Sequence, residues 1–249
     1  MVADTFNLGP LSLRWYTALL ILAVIIPFFL IRRQALKFGI KKEQVDNLVL
    51  LVVPAGIIGA RIYHVVDQWY YYQVHLAEIF YLWQGGLGIF GGLLCGLLVS
   101  WFYCRQKKIN LVPLLDLITP FLLLGQAIGR MGNYFNQEGY GPSTQLPWGI
   151  YIAKEQTTVH PTFFYEALWD LASFLILVTV RPRLKPGQVT SLYLIVYGSG
   201  RLLAEYFRVD TFKTGEVKIG YIVSLGLVLV GLYLLRKFTR MYQSVQGVL

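Results

Sequence analysis

The stretch at residues 112–141, VPLLDLITPFLLLGQAIGRMGNYFNQEGYG, is an apolar run that ends in a polar cluster. A helix needs about 20 residues to cross about 30 Å of hydrocarbon, and the apolar part of this stretch provides them. The polar cluster brings Arg130, Asn133, Asn136 and Glu138 to one end of the run. An arginine in hydrocarbon costs roughly 2.5–3.5 kcal/mol, so the stretch predicts a membrane helix with a functional site at its end.

The rest of the chain has the same apolar character. Of its 249 residues, 56% are hydrophobic and only 14% are charged, and its mean hydropathy is +0.55. Soluble domains are about one quarter charged. We therefore predict an all-α polytopic integral membrane protein that forms one transmembrane domain, residues 1–249, with seven transmembrane helices. The predicted spans are residues 11–31, 46–66, 86–104, 112–130, 162–180, 189–208 and 219–236.

Lysines and arginines are distributed unevenly between the predicted spans. Fourteen lie in the segments that follow the first, third, fifth and seventh spans, and three lie in the segments on the other side. Because cytoplasmic loops carry the excess of cations, the N-terminus is predicted to be outside and the C-terminus cytoplasmic. The net charge of +9 therefore comes mainly from cations in the predicted cytoplasmic segments. It does not form a basic face on a soluble module, so we predict no nucleic acid partner.

Five arginines are not explained by this asymmetry. They are Arg14, Arg61, Arg130, Arg201 and Arg208, and each lies inside a span or at its outward end. Snorkelling to the outer headgroups explains Arg14 or Arg208 taken singly. Arg130 and Arg201 instead have polar neighbours at helical spacing, which predicts that they face a polar environment.

The sixth span carries a polar stripe. Tyr193, Tyr197, Arg201, Glu205 and Arg208 follow one another at intervals of four, four, four and three residues, so they lie on one helix face. Such a stripe must face protein or a water-filled space. An ion pair that holds helices together would satisfy this requirement, and so would a binding site.

The fourth span carries a second polar stripe, formed by Gln126, Arg130 and Asn133. It runs beside Gly125 and Gly129, whose spacing of four residues favours the close approach of another helix. Two desolvated guanidiniums bind phosphate oxygens in pairs, so the two stripes favour an anionic phospholipid headgroup as ligand. A lipid transporter, a lipid-dependent scaffold and an enzyme are all compatible with that ligand.

Seven motifs follow one another along the chain. The most specific is GRMGNYFNQEGYG at residues 129–141. The others are LRWY at 13–16, GARIY at 59–63, WQGGL with GGLLCG at 83–96, DLITP at 116–120, HPTFFYE at 160–166 and GRLLAEYFR at 200–208. In this order they resemble the motifs of the prolipoprotein diacylglyceryl transferases, enzymes of the bacterial inner membrane.

The resemblance implies transfer of a diacylglyceryl group from phosphatidylglycerol to the lipobox cysteine in the signal peptide of a prolipoprotein, with release of glycerol phosphate. It implies a multi-pass protein of the bacterial cytoplasmic (inner) membrane, with its active site toward the outer leaflet of the lipid bilayer. The outward loop 131–161 is expected to form a small extracytoplasmic head or to be disordered. His64 and His75 lack the carboxylate or cysteine spacing of a metal site, so we predict no metal and no cofactor.

The resemblance and the two polar stripes define the predicted site. Catalytic roles are predicted for Arg130, Arg201, Glu205, Glu138 and Tyr16. Substrate-binding roles are predicted for Arg130 and Arg201 and for Asn133, Asn136, Gly141, Arg208, Arg61, Tyr197 and His160. A loop-to-helix entry at His160 and Pro161 is the structural alternative for the histidine.

The implied reaction is attack by a cysteine thiolate on the glycerol carbon that bears the phosphodiester. Negative charge then develops on the leaving oxygen, where Arg130 and Arg201 would stabilise it. The thiol, with a pKa of about 8.5, needs a proton acceptor or a cationic neighbour. Many members of the family have a histidine where this chain has Phe90, so the acceptor is predicted to be Glu205 or Glu138, assisted by Tyr16.

Two functions other than the transferase are left open by the sequence. One is a phospholipid or solute transporter with an arginine-lined binding site, and the other is a lipid-binding relative made inactive by the missing histidine. The odd number of spans and the lack of an evident internal repeat disfavour a transporter. The glycines of residues 85–96 either pack helices closely or form a gate for lipid entry.

Overall fold

The computed structural model describes residues 5–8, 11–209, 211, 213–214 and 217–246. The helices of this part are α1 (Trp15–Gln34), α2 (Lys42–Asp67), α3 (Trp69–Tyr72), α4 (Ile89–Lys107), α5 (Leu111–Asn136), α6 (Thr162–Val180), α7 (Gln188–Phe207) and α8 (Ile219–Gln246). Short 3-10 helices lie at Ala35–Phe38, Leu76–Phe80, Leu82–Gln84 and Arg181–Arg183. Three antiparallel hairpins pair β1 (Thr5–Leu8) with β2 (Leu11–Arg14), β3 (Ile150–Ile152) with β4 (Thr157–Val159), and β5 (Lys213–Thr214) with β6 (Val217–Lys218).

Six segments are long and apolar enough to cross a membrane. They are Trp15–Phe38, Lys42–Asp67, Ile89–Lys107, Leu111–Asn136, Thr162–Arg183 and Ile219–Ser244. They overlap six of the seven predicted spans, and the fold is that of a helical integral membrane protein. The helix α7 matches the remaining predicted span, 189–208, but is not among the six. It is the helix that carries the longer polar stripe.

The described residues separate into two compact units by their contacts. The first comprises Met1–Ile31 and Leu115–Leu249, and the second comprises Arg32–Leu114. In the first unit, a Cβ added to Gly125 would lie 2.7 Å from the carbonyl oxygen of Ala23, so α5 packs closely on α1 as the small-residue spacing predicted. The companion Gly129 does not make such a contact, because a Cβ there would meet nothing within 4 Å.

The start of α7 is held by a buried carboxylate from α5. Asp116 accepts hydrogen bonds from the backbone N–H of Gly187 at 2.5 Å and from the backbone N–H and hydroxyl of Thr190 at 2.9 and 2.6 Å. The two backbone N–H groups are donors that the start of a helix leaves without helical partners. Asp116 therefore caps α7 and links it to α5 at the end opposite Arg130 and Arg201.

The second unit is built around glycine contacts between α2 and α4. A Cβ on Gly59 would lie 2.5 Å from both the carbonyl oxygen of Gly91 and the sulfur of Cys95. Of the two roles expected for the glycine-rich segment, close helix packing is the one observed here. The hydroxyl of Tyr103 also donates to the carbonyl of Gln44 at 3.1 Å, which joins the opposite ends of the same two helices.

The segment between α5 and α6 contains the hairpin of β3 and β4. In its register Ile150 pairs with Val159 and Ile152 pairs with Thr157. A small apolar core of Tyr140, Ile152 and Val159 lies beneath the hairpin. Within the first unit, these residues form a small structured element with its own apolar contacts.

Candidate active site

The polar stripes of α5 and α7 meet at a carboxylate of α6. Nη2 of Arg130 lies 2.8 Å from Oε2 of Glu166, and Nη1 of Arg201 lies 3.0 Å from the same oxygen. Nη1 of Arg208 lies 3.4 Å from Oε1 of Glu166. Three guanidiniums thus surround one acidic side chain, and Arg130 and Arg201, the two arginines with predicted catalytic roles, point to the same place.

Arg201 also pairs with a second carboxylate, on its own helix. Its Nη2 lies 2.7 Å from Oε2 of Glu205, four residues along α7. The Glu205 side chain is 1% exposed, and a Cβ on Gly220 of α8 would lie 2.6 Å from its Oε1. The ammonium of Lys218 donates to the backbone carbonyls of Glu205 and Arg208 and so caps the end of α7. Glu205 is therefore enclosed between α7 and the start of α8.

The charged residues all lie near one set of helix ends. Arg130 is in the last two turns of α5, Arg201 and Glu205 are in the last two turns of α7, and Glu166 is in the second turn of α6. Since α5 and α7 end where α6 begins, these side chains come to a common level. This level is at the opposite end of α6 from the cations that follow that helix, Arg181, Arg183 and Lys185, and at the opposite end of α8 from Arg236, Lys237 and Arg240.

The end of α5 is shaped by a Schellman cap. The N–H of Gln137 bonds the carbonyl of Tyr134 at 3.3 Å, and the N–H of Glu138 bonds the carbonyl of Asn133 at 3.0 Å. Gln137 takes the left-handed conformation that the motif needs, with φ 51°, and its side-chain oxygen accepts the N–H of Ala153. The cap fixes the positions of Asn133 and Glu138. The hydrogen bond between Gln137 and Ala153 joins the hairpin of β3 and β4 to α5.

The glycines that follow the cap support the first turn of α6. The carbonyl of Gly139 accepts the N–H of Phe163 at 2.9 Å, and its φ of 71° favours glycine. A Cβ on Gly139 would lie 2.8 Å from Nδ2 of the buried Asn133. A Cβ on Gly141 would lie 2.7 Å from the hydroxyl of Thr162. Both glycines therefore permit backbone contacts that place α6, and with it Glu166.

Aromatic and amide side chains continue the polar surface away from the arginines. The rings of Tyr193 and Tyr197 stack with centroids 5.8 Å apart, and Nε2 of Gln126 donates to the Tyr193 hydroxyl at 3.3 Å. The Tyr197 side chain interacts with Arg130. Asp170, one turn after Glu166, is buried close enough to Arg130 for electrostatic attraction.

Tyr16 lies near both Arg130 and Glu138. A Cβ on Gly132 would lie 2.8 Å from Cδ2 of Tyr16, so the tyrosine ring rests on the backbone of α5. Tyr16 is near enough to interact electrostatically with both Glu138 and Arg130. Glu138 is exposed and accepts a hydrogen bond from Nδ2 of Asn136 at 3.2 Å. Of the two candidate proton acceptors, Glu138 is the accessible one.

His160 has a local partner at the start of α6. Its Nδ1 lies 3.3 Å from the hydroxyl of Tyr165, and its backbone N–H bonds the carbonyl of Pro142. Its ring centroid is 6.5 Å from that of Phe207. These contacts match the loop-to-helix entry that was the structural alternative, and its predicted part in substrate binding stays a prediction.

Arg61 belongs to the second unit and has backbone partners there. Its Nε bonds the carbonyl of Ile79 at 2.9 Å, and its two terminal nitrogens bond those of Glu78, Gly85 and Gly86 at 2.5, 2.6 and 3.1 Å. The residue is 5% exposed. These contacts fix residues 76–86, and the predicted role of Arg61 in substrate binding stays a prediction. Phe90 lies in the same unit against Tyr63, with ring centroids 5.9 Å apart.

The sequence profile of the prolipoprotein diacylglyceryl transferases matches residues 3–236. The chain belongs to the prolipoprotein diacylglyceryl transferase family. A phosphatidylglycerol–prolipoprotein diacylglyceryl transferase of Streptococcus equi subsp. zooepidemicus (strain MGCS10565) is 38% identical over 241 residues, which is 93% of each chain. An enzyme of the same name from Streptococcus pyogenes serotype M5 (strain Manfredo) is also 38% identical over 241 residues, again 93% of each chain.

In this member of the transferase family, the sequence prediction did not include Glu166 or Asp170. Glu166 closes the motif HPTFFYE, and the two carboxylates are four residues apart in a span that is otherwise uncharged. The cost of a buried charge that singled out the arginines applies equally to these acids. Glu166 and Asp170 could therefore have been predicted as site residues from that cost.

Proposed function

We propose that this chain transfers the diacylglyceryl group of phosphatidylglycerol to the lipobox cysteine thiol of a prolipoprotein, forming a thioether and releasing glycerol phosphate. The names of its relatives support the two substrates. The observation that carries the proposal for this chain is the meeting of Arg130 and Arg201 on α5 and α7 beside one buried carboxylate. Two guanidiniums held in this way form a receptor for a phosphodiester.

In the proposed reaction the cysteine sulfur attacks the glycerol carbon that bears the phosphodiester. The new bond is S–C, the bond that breaks is C–O, and the electron pair of that bond goes to the leaving phosphate oxygen. The phosphate changes from a diester with one negative charge to a monoester that gains a second. Arg130 and Arg201 stabilise this added charge, which is usually the largest contribution that an enzyme makes.

The thiol proton goes to Glu138 in this proposal. Its carboxylate is exposed, lies close to Tyr16, and has its neighbour Asn136 as a hydrogen-bond donor. Glu205 is enclosed beside Gly220 and already paired with Arg201, which makes it the orienting group of that arginine. The missing histidine at Phe90 is therefore no obstacle to the proposed chemistry.

The proposal includes seven spans in the bacterial cytoplasmic membrane, with the N-terminus outside and the C-terminus in the cytoplasm. It is supported by the asymmetry of fourteen cations against three and by α7, whose 20 residues equal a span in length. The charged cluster lies at the cation-poor ends of its helices, which would put the active site and the head hairpin toward the outer leaflet.

The test uses the purified full-length chain in detergent with phosphatidylglycerol and a lipobox peptide. The proposal requires two products in equal amounts, glycerol phosphate and a peptide whose mass has increased by one diacylglyceryl group. A peptide with serine in place of the lipobox cysteine is the control and should remain unmodified. Absence of both products, under conditions in which a verified member of the family is active, would contradict the proposal.

A further inference from the structure

Glu166 is the point at which three helices are joined by charge. Both of its carboxylate oxygens are in contact with guanidiniums, Oε2 with Arg130 and Arg201 and Oε1 with Arg208. The arginines come from α5 and from the end of α7, while Glu166 itself comes from α6. No reaction step described above uses this carboxylate.

The acidic and basic side chains of this cluster differ in burial. The Glu166 side chain is 5% exposed, whereas those of Arg130 and Arg201 are 21% and 20% exposed. The carboxylate is therefore more buried than the two arginine side chains, and part of the surface of each arginine is accessible. A guanidinium has five N–H donors in one plane, so an edge held by a carboxylate leaves other donors for an incoming anion.

The backbone fixes Glu166 independently of the arginines. The second turn of α6, where it lies, follows directly on the bond from Phe163 N–H to the Gly139 carbonyl and on the close contact of Gly141 with Thr162. A rigidly placed carboxylate sets the direction of each guanidinium plane that bonds to it, because Arg–carboxylate pairs have a defined geometry. Without Glu166, less negative charge would offset the repulsion between the three guanidiniums.

We infer that Glu166 is a positioning residue, which orients Arg130 and Arg201 toward the phosphate on which charge develops. The inference rests on the proposed function. Since the phosphate gains a negative charge between the bound diester and the leaving monoester, correctly directed guanidiniums stabilise the transition state more than the bound substrate. Loss of the carboxylate should then lower kcat and leave the KM for phosphatidylglycerol comparatively unchanged.

Two substitutions and one matched control test this inference in the full-length protein. Glu166→Gln keeps the shape and removes the charge, whereas Glu166→Asp keeps the charge on a shorter side chain. The control is Glu155→Gln, because Glu155 is also a hydrogen-bonded carboxylate, accepting from the Tyr140 hydroxyl at 2.8 Å in the head. The assay measures initial rates against phosphatidylglycerol concentration with the lipobox peptide, and thermal unfolding is measured on the same preparations.

We expect Glu166→Gln to lower kcat by about 10²-fold, the loss that a misplacement of about 1 Å can cause, with KM changed by less than about threefold. Glu166→Asp should regain about tenfold of that loss, and Glu155→Gln should stay within about twofold of the wild type. A wild-type kcat in Glu166→Gln overturns the inference, and so does a rise in KM at constant kcat. If Glu166→Gln fails to fold, Glu166→Asp decides: a folded protein with lowered kcat supports the inference, and one with wild-type kcat overturns it.

The wild-type protein separates this test from that of the proposed function. If the wild type makes neither product, the proposed function fails. If the wild type is active and the Glu166 variants have its kcat, only the positioning role of Glu166 is lost.

Discussion

Replacing Arg201 by lysine keeps the positive charge and removes the planar fork. Arg201 holds Glu166 at 3.0 Å with one terminal nitrogen and Glu205 at 2.7 Å with the other. Lysine has a single nitrogen, which cannot span both carboxylates and also bind a phosphate in pairs. The loss of one hydrogen bond between charged groups costs about 1.5–3 kcal/mol. That loss corresponds to a rate lowered roughly 10- to 150-fold.

The assay for Arg201→Lys is the initial rate of mass gain on the lipobox peptide, with purified protein in detergent and saturating phosphatidylglycerol. The matched control is Arg32→Lys, because Nε of Arg32 pairs with Asp46 at 2.7 Å and both side chains are partly exposed. Exposed ion pairs contribute little, so this variant should keep the wild-type rate. A wild-type rate in Arg201→Lys, or an equal loss of rate in Arg32→Lys, would refute the claim that the reaction needs the planar guanidinium of Arg201.

Three further substitutions test other contacts. Glu138→Gln should lower the rate at pH 7 by roughly 10²-fold or more, and raising the pH to about 9 should restore part of it, since the thiol then ionises without a base. Gly220→Ala should lower the rate about tenfold, because its Cβ would meet the Glu205 carboxylate at 2.6 Å. Arg61→Ala should lower the thermal unfolding midpoint, because it removes hydrogen bonds to four backbone carbonyls.

Each of these predictions has an outcome that contradicts it. For the proton acceptor it is a Glu138→Gln variant with an unchanged pH–rate profile. For Gly220→Ala the control is Gly226→Ala on the same helix, where a Cβ would meet nothing within 4 Å. Equal rates in the two alanine variants would show that contact with Glu205 does not affect the rate. For Arg61 it is an unchanged unfolding midpoint.

Much of the helical framework could be predicted because it follows from apolar length alone. Six predicted spans coincide with helices that are apolar enough to cross a membrane. The fourth span was predicted to end at about residue 130, and the helix α5 extends to Asn136. Hydropathy falls at Arg130, but the helix continues until the Schellman cap at Gln137. Asn133 and Asn136 consequently lie on the helix.

The polar stripes could also be predicted from the sequence, whereas Glu166, the residue that they contact, was not predicted. Helical spacing places Arg201 and Glu205 on one face of α7, and they pair as that spacing suggests. Spacing gives the face of a helix but does not say which other helix meets it. Glu166, 35 residues before Arg201, is brought to it by the turn at Gly139–Gly141 and the start of α6. The partners of Arg61 are backbone carbonyls. Every residue has one, so the sequence does not indicate which of them Arg61 contacts.

The most direct measurement is an experimental structure of the full-length chain with a bound phosphatidylglycerol ether analogue. We predict one phosphate whose oxygens lie within about 3 Å of the guanidinium nitrogens of both Arg130 and Arg201, with Glu166 still behind them. A headgroup phosphate that contacts neither arginine, or contacts only one while the other remains turned away, would contradict the account.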